Sequence, residues 1–331
     1  MKKSIMIIFV VLIIPAMILS GCGSVAQSST GNFNVVCTIF PQYDWTRQIL
    51  GDKADSFDLT LLLNNRMDLH SYQPSVDDMV KISVCDLFVY VGGESDSWVS
   101  DALKEATNKN MVVINLLGVL GEAVKEEEII EGMEGEEDGL DDEEKDLYKG
   151  GEYDEHVWLS FKNAQKFCSV IADSLSSLDK DNAGEYQTNL TAYIEKLSAL
   201  DAEYQRTINA ASVRTLLFGD RFPFRYLADD YNINYYAAFP GCSAETEASF
   251  ETIVFLANKA DELDLSNIMV TESADLSIAK TIINNTTEKN QQILTLDAMQ
   301  SVTSDDIQNG ATYLSIMEGN LNVLNEALNY E

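Results

Sequence analysis

Two histidines are the side chains in this sequence best suited to binding a metal ion. They are the only histidines among 331 residues, and His70 and His156 each lie in an acidic or aromatic segment, 68–72 and 154–158. Neutral imidazole is the commonest protein ligand for zinc-class cations. A single histidine is more often an ordinary surface or interior residue. The metal-site hypothesis therefore depends on elements that bring both rings to one ion.

Short apolar segments alternate with helical patterns in both halves of the chain. Near-continuous Val, Ile and Leu segments separated by amphipathic segments are typical of parallel sheets buried on both faces. The first half predicts strands at 34–40, 57–63, 87–91 and 112–116, with helices at 43–50, 76–82 and 98–107. The second half predicts strands at 215–218, 235–239, 267–270 and 292–296, with helices at 224–231, 247–263, 277–286 and 311–328. The sequence thus predicts an α/β protein with two lobes.

The segment between the two halves has the pattern of one long helix. From 181 to 208, apolar residues recur at spacings of mostly three or four, and the segment contains no proline. Such a helix would be on the order of 40 Å long and would join the lobes rigidly. Gly184 leaves two shorter helices as the alternative. We expect an N-terminal lobe at 33–180, a linking helix at 181–210 and a C-terminal lobe at 211–331.

The N-terminal segment has the features of a lipoprotein signal. Two lysines precede an apolar run, and Leu-Ser-Gly-Cys at 19–22 resembles a lipobox, in which the cysteine is acylated after cleavage. The run is shorter than the roughly 20 residues that a membrane span needs. We expect 1–21 to be a signal peptide, Cys22 a lipid anchor and 22–32 a flexible tether. The protein would then be extracytoplasmic and anchored to the cell membrane.

A large negative charge argues strongly against nucleic acid and anionic lipid as partners and favours cations. The net charge is −32, and removal of 1–21, with two lysines and no acid, would make it −34. Residues 122–155 hold 17 Asp or Glu, three Lys and five Gly, so they cannot bury a core and are predicted to form a mobile loop. The loop either is merely solvated or collects cations weakly beside the main site.

The four other cysteines show no metal-ribbon or redox spacing. Cys37, Cys85, Cys168 and Cys242 are far apart in sequence and form no CxxC motif. Cys37 and Cys85 lie in apolar segments, where small buried thiols are common. The sequence predicts no disulfide framework.

Several segments, in the same order, resemble the metal-binding lipoproteins of zinc and manganese ABC importers. The first is the His-x-Tyr-x-Pro-Ser segment that begins at His70, directly after a predicted strand and before a predicted helix. The others are 38–44, 86–90, 155–160, 181–204 and 313–321. The resemblance covers essentially the whole chain after the signal. It implies two α/β lobes joined by one rigid helix, with a cation in the cleft between them.

The same resemblance implies metal ligands, position by position. His70 and His156 stand in the first and second ligand segments of the family, and Asp297 matches its carboxylate ligand. The position of the third ligand is occupied here by Arg221, which is permanently charged and cannot coordinate. Members of the family often carry a histidine-rich loop where this chain has its acidic segment, which contains no histidine between 122 and 155.

The missing donor has two candidates, Asp220 and Cys242, both at predicted strand ends facing the cleft. Carboxylate would suit manganese or zinc, whereas a thiolate would favour zinc because sulfur is the softer ligand. Arg221 has two possible roles, an ion pair with Asp220, Asp229 or Asp230, or a direct effect on the ligand site.

The sequence therefore predicts a monomeric substrate-binding lipoprotein that captures zinc, or manganese, and delivers it to an ABC permease without catalysing a reaction. Two alternatives stay open. One is a cell-surface adhesin of the same fold that has lost metal capture, as the arginine suggests. The other is a zinc hydrolase with an open water position, although the sequence contains no HExxH, GxSxG or phosphate-binding glycine loop.

Overall fold

Two four-stranded parallel sheets form the framework of the computed structural model, which describes residues 32–64, 66–133, 152–243 and 247–329. The first sheet contains β1 Phe33–Cys37, β2 Phe57–Leu61, β3 Leu87–Tyr90 and β4 Val112–Asn115. The second contains β5 Thr215–Phe222, β6 Asn234–Pro240, β7 Asn267–Thr271 and β8 Gln292–Leu296. Their strand orders, β2-β1-β3-β4 and β6-β5-β7-β8, repeat one topology. In open sheets of this kind, ligands bind beyond the carboxyl ends of the strands.

Helices connect the strands in both halves. Those of the first half are α1 Phe40–Leu50, α2 Val76–Val84, α3 Val99–Glu105, α4 Leu116–Leu120 and α5 Phe161–Leu178. A long helix, α6 Ala183–Ala210, follows. Those of the second half are α7 Arg225–Tyr231, α8 Phe250–Glu262, α9 Ser277–Asn285, α10 Ser304–Gln308 and α11 Tyr313–Leu328. The predicted α/β architecture is confirmed, and all eight predicted strands are present.

Helix α5 is the largest element that the sequence pattern missed. Its C-terminal half is rich in serine, which is a poor helix former because its hydroxyl competes for backbone groups. Here the hydroxyls of four serines each donate to the carbonyl four residues earlier, so their hydrogen bonds are made within the helix itself. Ser160 caps its start by accepting the N–H of Asn163.

Helix α6 is continuous over 28 residues, so the alternative of two shorter helices is wrong. At 1.5 Å per residue it is roughly 42 Å long. Its buried stripe consists of Tyr186, Leu190, Tyr193, Leu197, Leu200, Tyr204 and Ile208. This stripe packs on α1 and α5 of the first half and on α11 of the second. One helix therefore spans both lobes.

Buried hydrogen bonds also join the lobes. The Asp44 carboxylate in α1 accepts the N–H of Tyr313 at the start of α11 at 2.9 Å, where the helix dipole favours an anion. The indole N–H of Trp158 donates to the carbonyl of Ala298 at 2.9 Å. The main hydrophobic core contains residues of both lobes, and 33–331 form a single compact unit.

Some predicted features lie outside the described residues. These are the signal at 1–21, Cys22, most of the tether and positions 134–151 of the acidic segment. Among the helices that the structure describes, none combines the length and apolar character that crossing a membrane requires.

Candidate metal centre

His70 lies in a short turn beyond the carboxyl end of β2. The turn is a 3-10 helix at Leu69–Ser71, and the Asp68 side chain begins it by accepting the His70 N–H at 2.9 Å. The ring Nδ1 lies 2.8 Å from the Ser95 hydroxyl, which belongs to the loop after β3. Glu155 holds this loop by accepting the Ser95 N–H at 3.0 Å. These contacts fix the ring through Nδ1 and leave Nε2 for another partner.

His156 is fully buried and is held by its near neighbour Asp154. One carboxylate oxygen of Asp154 accepts the backbone N–H of His156 at 2.9 Å and lies 3.0 Å from its Nδ1. A carboxylate on Nδ1 places the neutral ring's lone pair on Nε2 and orients the ring, an arrangement common among metal-binding histidines.

The two Nε2 atoms face each other at 3.3 Å. Two imidazole nitrogens on one tetrahedral zinc ion, each bonded at about 2.0–2.1 Å, lie roughly 3.3 Å apart. The structure therefore brings both predicted histidines together at a spacing that one ion can bridge.

Electrostatics makes the two rings unequal. Burial, and then the charge of His156, lowers the pKa of His70 to about 4. Burial also disfavours charge on His156, but the hydrogen bond and charge of Asp154, with further carboxylates nearby, raise its pKa above the usual value. A proton therefore binds more readily to His156 than to His70.

Cys242 is the third side chain at this point with an atom that could bind a metal. It follows Gly241 in the turn after β6, and its sulfur and the ring nitrogens of the two histidines all lie within 4.8 Å of one another. A Cβ on Gly241 would lie 3.1 Å from the His156 ring, so this glycine permits the close approach. The Cys242 N–H donates to Glu127 at 2.7 Å. Burial raises the pKa of the Cys242 thiol well above its usual value.

The second candidate donor, Asp220, is bonded elsewhere. Its carboxylate accepts both the N–H and the hydroxyl of Thr271, at the end of the neighbouring strand β7. The neighbouring Arg221 forms its ion pair with Asp68 rather than with Asp220. The predicted ion pairs of Arg221 with Asp220, Asp229 or Asp230 are wrong.

Arg221 instead connects two loops of the site. Its Nη2 lies 3.0 Å from a carboxylate oxygen of Asp68, and its Nη1 donates to the carbonyl of Ser243 at 3.2 Å. Asp68 begins the turn that carries His70, and Ser243 directly follows Cys242. The pKa of the Asp68 carboxyl is lowered, because the charges of His70 and Arg221 outweigh the effect of its burial.

Asp297 begins the loop after β8 but is not part of the three-residue cluster. One of its oxygens accepts the N–H of Met299 at 2.7 Å. Burial, and then the charge of Glu272, raises its pKa to about 7. The residue of this loop that reaches the histidines is Gln300, whose Nε2 lies 3.3 Å from His156 Nε2. Sequence reasoning missed Gln300, which belongs to no motif, and its only signal was closeness to Asp297.

The chain is similar in sequence to proteins named for zinc binding and zinc uptake. A family model described as zinc-uptake complex component A, periplasmic (ZnuA) matches residues 35–327. Zinc-binding lipoprotein AdcA of Streptococcus pneumoniae serotype 4 is 31% identical over 316 residues, which are 96% of this chain and 60% of that protein. High-affinity zinc uptake system protein ZnuA of Bacillus subtilis is 29% identical over 303 residues, or 92% of this chain and 90% of that one. The chain thus spans about 60% of the length of the AdcA relatives.

Solved structures show the same fold. The zinc-bound ZnuA-like domain of S. pneumoniae AdcA has a TM-score of 0.69 at 27% identity, covering 91% of this chain and all of that domain. The metal-dependent lipoprotein YcdH of B. subtilis has a TM-score of 0.71 at 27% identity, covering 90% of this chain and 100% of its own. With the family model matched over nearly the whole described chain, the protein belongs to the ZnuA family of zinc-uptake components.

Proposed function

We propose that this protein is an extracytoplasmic receptor that captures zinc and delivers it to an ABC permease. The observation that carries the proposal is the 3.3 Å separation of the two buried Nε2 atoms, each on a ring fixed through its other nitrogen. Membership of the ZnuA family and the zinc-binding names of relatives support zinc as the cargo. The net charge of −32 favours the approach of cations.

The proposed ligands are His70 and His156 from the first lobe and Asp297 from the second. The role of Asp297 as a ligand is supported by its place in the same loop as Gln300, which contacts His156. The Asp297 carboxylate is buried beside Glu272, so a nearby cation would stabilise its charged form. To reach an ion between the rings, its side chain has to leave the N–H of Met299.

Calorimetric titration with zinc tests this ligand set. Replacement of either ring, by His70→Ala or His156→Ala, removes a nitrogen donor and should abolish tight binding. Ser71→Ala is the matched control, because Ser71 is exposed in the same turn as His70. The variant removes the bond from its hydroxyl to the carbonyl of Asp68 and keeps the bond from its backbone N–H to the same carbonyl. Unchanged zinc affinity in both histidine variants would refute the proposal.

Delivery and anchoring are tested in cells. Cells that carry the wild-type protein should accumulate radioactive zinc under chelation, and those with His156→Ala should not. We further propose that Cys22 is acylated and holds the protein at the membrane surface. Cys22→Ser should then release the protein into the soluble fraction and abolish labelling by a radioactive fatty acid, whereas Cys85→Ser should change neither.

The adhesin alternative was based on the arginine at position 221. The ion pair between Arg221 and Asp68 accounts for this residue without loss of the histidine pair. The receptor is therefore the function that the site supports best.

A further inference from the structure

We infer that the Cys242 thiolate is a metal ligand, which joins His70 and His156 and makes the site selective for zinc over manganese. The inference rests on the proposed function, and it names the ligand that makes the site specific for one metal. In the part of the chain that the structure describes, these three side chains form the one group of His, Cys, Asp or Glu donors close enough to hold a metal together. The two rings and the sulfur come from three separate loops.

Position 242 is built into the site rather than placed there by a free loop. The side chain of Glu127 accepts the Cys242 N–H at 2.7 Å. The backbone around Glu127 is itself hydrogen-bonded to residues 152 and 154, just before His156. Gly241 allows the turn to lie against the His156 ring, because a Cβ there would be 3.1 Å from the ring and 3.0 Å from the carbonyl of Phe222. These contacts therefore fix the spacing between the turn that carries Cys242 and the His156 ring.

Arg221 acts as a positioning residue for the same donor set. Its guanidinium group joins Asp68, two residues before His70, to the carbonyl of Ser243, one residue after Cys242. Guanidinium has only donor groups and cannot bind a cation itself. Its two N–H groups instead hold the turn that carries His70, in the first lobe, against the turn that carries Cys242, in the second.

The sulfur donor has a consequence for selectivity. Thiolates and imidazoles favour zinc, whereas manganese prefers oxygen ligands. When the ion binds, the S–H bond is replaced by an S–Zn bond and the proton leaves to solvent, because the thiolate is the coordinating form. Removal of the sulfur should therefore reduce zinc affinity more than manganese affinity.

X-ray absorption of the zinc-loaded full-length protein tests the inference without any substitution. A ligated Cys242 gives one zinc–sulfur distance of about 2.3 Å beside nitrogen or oxygen distances of about 2.0–2.1 Å. Cys37, Cys85 and Cys168 are buried outside the cluster, and the proposed acylation of Cys22 removes its thiolate, so none of these four supplies the signal. A spectrum with only nitrogen and oxygen neighbours would overturn the inference.

Cobalt gives a second readout through Cys242→Ser. Cobalt-loaded wild type should show a thiolate-to-cobalt charge-transfer band, which Cys242→Ser lacks and the control Cys85→Ser retains. Zinc affinity should fall by more than the roughly 10–100-fold typical of changes to outer-sphere partners, with a smaller change for manganese. A band that persists in Cys242→Ser, or equal losses for both metals, would contradict the inference. Binding that is unaffected by the histidine substitutions would instead refute the proposed function.

Discussion

Zinc affinity should fall steeply as the pH falls, because the ion and protons compete for the same atoms. Zinc binds the neutral form of each imidazole and the ionised form of the thiol. The pKa of His156 is raised above its usual value of 6.5, so at mildly acidic pH this ring has to lose a proton before it can coordinate. The pKa of His70 is lowered to about 4, so this ring stays neutral until the pH is much lower.

The pKa shifts set a minimum for how far zinc affinity should fall with pH. Between about pH 7.5 and 5.5, the neutral fraction of an imidazole with a pKa of 6.5 or more falls by at least about tenfold. A coordinating thiol whose pKa lies well above its usual value adds a factor of about 100 over the same two units. Between these two pH values, the zinc affinity of the wild type should thus fall at least about 1000-fold, and that of Cys242→Ser at least about tenfold. Below pH 4 a second proton, on His70, makes the fall steeper.

Competition with a chromophoric chelator of known pH dependence measures these affinities. The two proteins should differ in slope as well as in affinity, which separates the thiol from the imidazoles. Equal slopes in wild type and Cys242→Ser would show that the thiol takes no part. A flat profile in both would show that His156 is not a ligand, since His70 stays neutral over this pH range.

Three substitutions test the supports of the site. Gly241→Ala places a Cβ against the His156 ring and should weaken zinc binding at least about tenfold in calorimetry, with an unchanged circular dichroism spectrum. Arg221→Gln removes the clamp between the two ligand turns and should cost about 10–100-fold in zinc affinity, whereas wild-type affinity would show that the clamp is irrelevant. Asp44→Ala leaves the N–H of Tyr313 without its acceptor and should lower the free energy of unfolding in urea by about 1–3 kcal/mol.

The fold was largely predictable because its local signals are strong. Buried parallel strands need apolar residues on both faces, and β7 is buried along its whole length. The prediction ended β5 at Phe218, since Gly219, Asp220 and Arg221 interrupt the apolar pattern there. In the structure this strand continues to Phe222, because the two polar side chains find partners at the cleft.

The site was only partly predictable because its geometry depends on contacts between distant segments. His70 and His156 could be found from their types and their neighbours in sequence. Asp220 and Cys242 looked equally suitable, and only the pairing of β5 with β7 shows that Asp220 is held by Thr271. The partner of Arg221 lies 153 positions earlier in the chain, at Asp68, and no local pattern connects them.

The continuity of α6 determines how an ion can leave. A 28-residue helix that packs on both lobes, together with the buried bond between Asp44 and Tyr313, opposes a hinge motion that would open the cleft. Escape then depends on brief local opening of the short turns that carry the donors, such as Leu69–Ser71. For the proposed zinc cargo, the residence time would then be set by the few residues of these turns. In the proposed receptor, a docked permease would have to loosen only one such turn to release the ion, while the rest of the molecule keeps its fold.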